Sequence, residues 1–359
     1  MSQKIIRIPN STNSLTPLST FTILTYNCLA SNLAEPQYFP HTNPAHLDSS
    51  YRSKLFEREF QSFNADLICL QEMHRDDFHN WLSPFLARLG YSEGVFAERG
   101  GTKAKDGVVL FFKRDKFKLI THHRLGYFDC AQKQFPNQTV LATYNAALFC
   151  LLQLRNISTN TSTGQEQHIW ICNTHLNWNH TLPATQLFQI RTLLNKLSQL
   201  NQETQDSPFI IVGDFNSKRN SVVHDYIRNG ILTDGAEYYS KLRETYLPLF
   251  DNDAAKTTEY LNEPHVYKKA LESAYRDKTF TMPFSTKIKD HFCETIDYIY
   301  YQRNRICVLQ LLNALYNDGE RVLDEDFTLP NEQHPSDHLP LMAELALFPK
   351  SAEDHLDSS

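Results

Sequence analysis

Apolar residues in this chain fall into two kinds of run. The first kind is short and almost unbroken: residues 21–28 (FTILTYNC), 66–71 (DLICLQ), 107–113, 145–154, 168–174, 208–213, 295–301 and 339–347. Runs of that length without polar alternation predict strands buried on both faces. The second kind spaces its apolar residues three or four apart, in 51–63 (YRSKLFEREFQSF), 78–89 and 184–200, and predicts amphipathic helices. Strands alternate with helices at first and then follow one another in pairs. That order predicts an α/β fold layered as a sandwich, in a single domain over residues 21–349. Residues 1–20 and 350–359 are polar and read as flexible tails, and 155–167 as a polar loop. Residues 217–293 differ: rich in Tyr, Asn, Lys and Glu, with helical stretches at 221–229 and 266–275, they read as a lid-like insertion on the same domain.

Composition narrows the setting. An apolar fraction of 41%, with 23 Phe and 17 Tyr, fills a sizeable core, and only 11 Gly argue against a repetitive architecture. No run reaches the length of a membrane span, and the first twenty residues lack the apolar stretch of a signal peptide. They are also poor in arginine for a mitochondrial presequence, although that destination stays open. Seven cysteines without a C-x-x-C pair predict buried thiols in a reducing, cytoplasmic compartment rather than a disulfide framework. The formal net charge of −6 means that affinity for nucleic acid is not a bulk property of the surface. A nucleic-acid substrate is still allowed, because acidic residues gathered around a divalent cation make a local electropositive site.

The polar residues that matter fall at the ends of the strand-like runs, where a rigid sheet can hold side chains converged on one point. Glu72 ends one such run and offers a carboxylate to a hard cation such as Mg²⁺; alone it is no more than a surface Glu. Asn27, also at a strand end, can position Glu72, a metal or its water, or simply form a turn. After the run 208–213 come Asp214 and Asn216, which in extended backbone face one way while Phe215 faces the other. Asp297 lies in one late run, 295–301, and His338 precedes the last. A His held by an Asp is fixed in tautomer and raised in basicity. Asp337 is a further metal candidate, and His175 a candidate donor to a phosphate oxygen. Each has a bland reading as a turn, a cap or a satisfied core histidine; the ordered set is what is informative.

That set resembles the exonuclease–endonuclease–phosphatase superfamily, and within it the branch of the carbon-catabolite-repressor deadenylases, nocturnin, the angel proteins and the 2′,5′-phosphodiesterases. The branch marks are TyrAsnCysLeuAla at 26–30, TyrArgSerLys at 51–54, AlaAspLeuIleCysLeuGlnGlu at 65–72 and LysAspGlyValVal at 105–109. AsnThrHisLeuAsnTrp at 173–178, LeuGluSerAlaTyr at 271–275 and ThrIleAspTyrIleTyrTyr at 295–301 continue them. The resemblance covers nearly the whole chain and implies two packed mixed sheets flanked by helices, with the site at the sandwich edge. It also implies catalytic or metal roles for Asn27, Glu72, Asp214, Asn216, Asp297 and His338, and a phosphate contact for His175. Asp106 matches an Asp near the site, with Gly107 beside it for close backbone approach. Phe292 matches the ring on which the deadenylases stack a base, and Trp178 lies in the same rim. His180 stands where the branch usually has a base-sandwiching Pro, which weakens the expectation of strict poly(A) preference.

The sequence therefore predicts a Mg²⁺-dependent phosphodiester hydrolase, with Mn²⁺ as a possible substitute, acting as a 3′-to-5′ exoribonuclease on single-stranded RNA or poly(A). The alternative is removal of a 2′,3′-cyclic, 3′- or 2′-phosphate from RNA ends or nucleotides, or cleavage of 2′,5′-oligoadenylate, by the same residues. A non-catalytic RNA-binding module is disfavoured because none of the expected ligands is missing. The leucine-rich scaffold-binding segment of the deadenylases is not expected, and a monomer is favoured.

Overall fold

The computed structural model of the chain describes residues 3–7, 16–101, 105–136, 138–155, 167–204, 206–233, 235, 237–275, 285–288, 292–317, 320–321 and 327–350. Two mixed sheets face each other, as the sequence predicts. The first draws on both ends of the chain: β1 (Gln3–Arg7), β2 (Ser19–Asn27), β3 (Leu67–His74), β4 (Val95–Glu98) and β5 (Asp106–Phe112), then β14 (Ile306–Asn317), β15 (Glu320–Arg321) and β16 (Leu341–Leu347). Their order is β1-β14-β16-β2-β3-β5-β4, with β15 beside β14. The second is built from the middle: β6 (Phe117–Gly126), β7 (Ala146–Leu154), β8 (His168–His175), β9 (Phe209–Asp214), β10 (Leu271–Ser273) and β13 (Asp297–Gln302). It runs β10-β13-β9-β8-β7-β6, and β11 (Thr286–Ile288) with β12 (Phe292–Glu294) forms a separate hairpin. In each main sheet one pair, β2 with β3 and β8 with β9, is parallel.

Successive side chains on a strand face opposite ways, so the unbroken apolar runs require a partner on both faces. Between the sheets, Phe21, Ile23, Leu67, Cys69 and Leu110 meet Leu148, Cys150, Ile171, Ile210 and Val212. On the far face of the first sheet, Leu24, Tyr26, Ile68 and Leu70 pack against Phe56 and Phe60 of α2 (Ser49–Phe63). That helix follows the single-turn α1 (Pro44–Leu47). It starts where the Asp48 carboxylate accepts from the Ser50 and Tyr51 amides, and stops at Asn64 in the left-handed region. The predicted helix at 78–89 is a π turn after α3 (Arg75–Asp77) that runs into α4 (Ser83–Arg88), burying Phe78, Leu82 and Leu86. On the far face of the second sheet lie α5 (Tyr127–Gln134) and α6 (Pro183–Glu203), whose Leu187, Ile190 and Leu194 cover Phe149, Trp170 and Ile211.

Three expectations are corrected. Residues 3–7 are not tail but edge strand β1, antiparallel to β14, and Leu18 is buried ahead of β2; five residues with two adjacent β-branched isoleucines in their sequence suffice to extend a sheet edge. Residues 8–15 and 351–359 lie outside the described residues, as does most of the 155–167 loop. The helical part of 217–293 is not a lid. Its helices α7 (Val222–Asn229), α8 (Glu237–Tyr246) and α9 (Ala254–Asn262) bury Val223, Ile227, Leu242 and Leu261 in the layer that covers the second sheet. Arg191 of α6 clamps them, donating to the carbonyls of Leu261 (2.9 Å) and Glu263 (3.1 Å) with its guanidinium over the Tyr226 and Tyr260 rings. Finally, 266–275 is turn followed by β10 rather than helix. Among the described residues no helix is long and apolar enough to cross a membrane.

Candidate active site

Strand ends of both sheets meet at one edge of the sandwich. In the second sheet the registers pair His175 with Asp214 and Asp214 with Asp297, so three neighbouring strands end side by side. The close approach of β8 and β9 depends on Gly213, which has φ 142°, and a Cβ there would lie 1.9 Å from the Thr174 carbonyl oxygen. In the first sheet β2 ends at Asn27, and β3 carries a bulge: Leu70 faces Val109 and Met73 faces Gly107, leaving Gln71 and Glu72 together opposite one residue. Glu72 takes φ 51°, a conformation that non-glycine residues hold only where the surroundings enforce it. The bulge sends the two side chains apart. Gln71 turns into the sandwich and donates to Asn173 Oδ1 (2.7 Å) and Thr25 Oγ1 (3.0 Å), while Asn173 Nδ2 donates to the Leu70 and Val109 carbonyls (2.9 Å each). This buried amide pair ties the sheets together directly behind the site.

Glu72 turns to the edge, where Oε1 accepts from Asn27 Nδ2 (3.1 Å) and Oε2 from the Ala30 amide (3.2 Å). Asn27 Nδ2 also donates to Asp214 Oδ2 (2.9 Å), which joins the two sheets across the site. The same Oδ2 lies 3.6 Å from His175 Nε2 and 3.7 Å from His338 Nε2. His338 Nδ1 is 2.8 Å from Asp297 Oδ2. The Asn216 amide donates to Asp214 Oδ1 (2.8 Å), and Asn216 Nδ2 contacts the Leu176 carbonyl and His175 Nε2, both at 3.0 Å. Phe215 packs away into the outer core, as the alternation predicts. Asp337 lines the cleft, its carbonyl held by Thr286 Oγ1 (2.6 Å), and Ser336 Oγ donates to the Asn27 carbonyl (2.6 Å).

Burial sets the electrostatics. It pushes the Asp214 carboxyl up to about 6, helped by the Asp297 charge and opposed by His338, His175 and Asn27. Burial would lower His338, but Asp297, Asp337 and Asp214 outweigh it and hold the imidazole well above its usual range. Glu72 is the reverse: burial raises it, yet His175, Asn27 and the Ala30 amide leave it below the usual carboxylate range. Asp337 is raised, chiefly by burial and then by Glu72.

The predicted residues thus come together, with exceptions at the rim. Asp106 is buried behind Arg99, whose Nε lies 3.1 Å from its Oδ1, so it is Arg99 that lines the cleft. Gly107 is where close approach was expected: a Cβ would sit 2.4 Å from the Ala97 carbonyl oxygen. Trp178 stands 71% exposed on the cleft wall; His180 is exposed. Phe292 is placed by its backbone alone, opposite Ile288 in the hairpin. The cleft encloses about 370 Å³. Sequence reasoning missed three contributors. Arg99 follows no apolar run. Arg52 is a charged residue buried on the apolar face of α2; it donates to the carbonyls of Leu29 (2.6 Å) and Pro335 (2.6 Å) and pins the loops beside Asn27 and Ser336. Gln186 donates to the Asn177 and Asn216 carbonyls, both at 2.9 Å, from the first turn of α6. The buried arginine in an otherwise apolar stripe was the one available signal.

Asp214, Asp297 and His338 present donor atoms within 4.8 Å of one another, a group that could hold a metal ion. Such a cleft, at the edge of two packed sheets, brings together the kinds of group that phosphate-ester hydrolysis uses. Residues 24–338 match the Endonuclease/Exonuclease/phosphatase family, and the chain belongs to it. It is 30% identical over 349 residues to the CCR4-Not complex 3′-5′-exoribonuclease subunit Ccr4 of Saccharomyces cerevisiae, covering 90% of this chain and 38% of that protein. The structure of ANGEL2, a 2′,3′-cyclic phosphatase, superposes with TM-score 0.69 at 25% identity, covering 91% of this chain and 95% of that one. The human nocturnin catalytic domain gives TM-score 0.60 at 20% identity over 96% and 97%.

Proposed function

We propose that the chain is a Mg²⁺-dependent phosphodiester hydrolase acting as a 3′-to-5′ exoribonuclease of deadenylase type on single-stranded RNA. The observation that carries this reading is the convergence of Asn27, His175 and His338 on Asp214 Oδ2, all within 3.7 Å, with the Asp297–His338 pair behind it. The donors suit a hard divalent cation: they are carboxylates and an amide around two imidazoles, and Asp297 Oδ1 is buried without a partner. Glu72, with Asn27 and Asp337, would hold Mg²⁺ or Mn²⁺, which when bound polarises the phosphate and offsets its developing charge.

Asp214 and Asn216 orient the attacking water, and Asp214, raised to about 6, is suited to take its proton near neutral pH. Asp297 fixes His338 through Nδ1, so Nε2 faces the cleft and donates to the phosphoryl oxygens. His175 offers a second imidazole to the same group. Trp178, His180 and Phe292 supply rings on which bases stack, each worth about 1–3 kcal/mol. No disulfide joins the cysteines among the described residues, which fits the cytoplasm.

A second reading, an RNA-end phosphatase acting on 2′,3′-cyclic or terminal phosphates, is favoured by the likeness to ANGEL2; 2′,5′-oligoadenylate cleavage would use the same groups. The test is Mg²⁺-dependent turnover of 5′-labelled single-stranded RNAs ending in oligo(A), oligo(U) or mixed sequence, with hydroxyl, 3′-phosphate or cyclic ends. A ladder shortening from the 3′ end is the expected result. Loss of the terminal phosphate at constant chain length would replace it with the second reading.

A further inference from the structure

Behind the cleft, on the outer face of the second sheet, lies another recess of about 220 Å³. Alternation along β13 separates the two: Ile299 and Tyr301 face the other sheet, whereas Tyr298 and Tyr300 face outward beneath α7. The recess is lined by both of these rings, by Arg219, His224 and Arg228, and by Ser273.

Its charge is unbalanced. Among the described residues Arg228 donates only to main-chain carbonyls, those of His224 (3.2 Å) and Arg219 (3.3 Å). Among the described residues neither Arg219 nor Arg228 is paired with a carboxylate. Among the described residues Glu272 is the one acid in the lining, and its carboxylate is turned to the other face of the sheet, where Oε2 accepts from the Tyr301 hydroxyl at 2.8 Å. Ser273 Oγ is buried without a partner. His224 is fully engaged, its ring nitrogens facing Tyr300 Oη (2.5 Å) and the Ser217 carbonyl (2.9 Å). Two guanidinium groups with no carboxylate paired to them among the described residues, a spare hydroxyl and flat aromatic walls match a phosphoryl group carried on a ribose or base. Arginine forks bind phosphate oxygens in pairs, and small pockets with few placed polar groups favour such ligands.

We propose that this recess is a second, non-catalytic binding site for a phosphate ester, held by Arg219 and Arg228 with its organic part against Tyr298 and Tyr300. The site does not depend on the proposed exoribonuclease activity. It is linked to the cleft through His224, which holds the carbonyl of Ser217, the residue after Asn216, and through Phe215, whose ring meets those of His224, Tyr298 and Tyr300. The ester is carried either by a free nucleoside monophosphate or by the backbone of an RNA strand.

Calorimetric titration of the full chain with AMP and with inorganic phosphate, in EDTA so that metal-dependent binding is silent, tests the site without any turnover. Wild type and Asp214→Asn are expected to bind AMP equally, and the Arg219→Gln/Arg228→Gln pair about tenfold or more weaker. Should the glutamine pair melt below wild type, Arg219→Lys/Arg228→Lys, which keeps the charge but loses the fork, provides the comparison and is expected to weaken binding less. Competition by oligo(A) assigns the ester to a strand, and its absence to a free nucleotide; either supports the site. Unchanged AMP binding in both arginine pairs, loss of binding in Asp214→Asn, or no saturable binding up to about 10 mM would overturn it.

Discussion

Glu72 is the residue on which geometry and chemistry lean together. Its left-handed backbone and its position in a bulge are tolerated because Asn27 and the Ala30 amide hold its two oxygens. Glu72→Gln keeps the shape and removes the charge. The expectation is a fall in kcat of about a hundredfold or more with the melting temperature unchanged or slightly lowered, since His175, Asn27 and the Ala30 amide favour the ionised carboxylate. Full activity of this variant in Mg²⁺ would remove Glu72 from the metal site. Asp214 supplies a second test. Its carboxyl, raised to about 6, must be ionised to take a proton from the attacking water, so the base is lost as pH falls through 6. The rate at saturating Mg²⁺ and RNA is expected to be flat above about pH 7 and to drop by up to tenfold per unit well below 6. At this scale the sequence was legible wherever a polar residue ended an apolar run, as with Asn27, His175 and Asp214. It was opaque at Arg99, whose role depends on a neighbouring strand, and at Glu72, whose direction comes from a bulge that strict alternation does not show.

Elements buried on both faces could be read from their unbroken apolar runs, and those with one wet face could not. β6 alternates buried and exposed positions through His122, His123 and Arg124 at the edge of its sheet, and so leaves no such run. The helices α7 to α9 were visible only in part, and their place was misjudged, because helical spacing says that a face is buried but not against what. Their packing has a consequence for pH. His224 of α7 is completely buried, and burial lowers its imidazole to about 3. The unfolded chain, with the ordinary value of 6.5, takes up a proton that the folded chain refuses. The stability from this group is complete above pH 6.5 and is lost as pH falls from there toward 3, by at most about 1.4 kcal/mol per unit. His224→Gln should lie below wild type in urea midpoint at pH 7, with the gap narrowing by pH 4.5; parallel curves would show that His224 does not carry the dependence.

The molecule as a whole joins two sheets of different origin in the chain, the first made from both ends and the second from the middle. Sequence order alone does not reveal this, since pairing of β2 with β16 spans more than three hundred residues. The proposed catalytic and metal-binding groups are divided in the same way: Asn27 and Glu72 from the first sheet, His175, Asp214 and Asp297 from the second, and His338 from the lead-in to β16. A variant stopped after residue 340 lacks the strand between β14 and β2. It is expected to lose its cooperative urea transition; a retained transition would mean that the first sheet closes without β16.

The position of β16 also sets a timetable. Synthesis proceeds from the N-terminus, and a pairing between residues near both ends forms only after the intervening chain has emerged. Asn27 and Glu72 are therefore made early and wait for His338, so a ribosome-bound chain has no assembled cleft until its last strand is free.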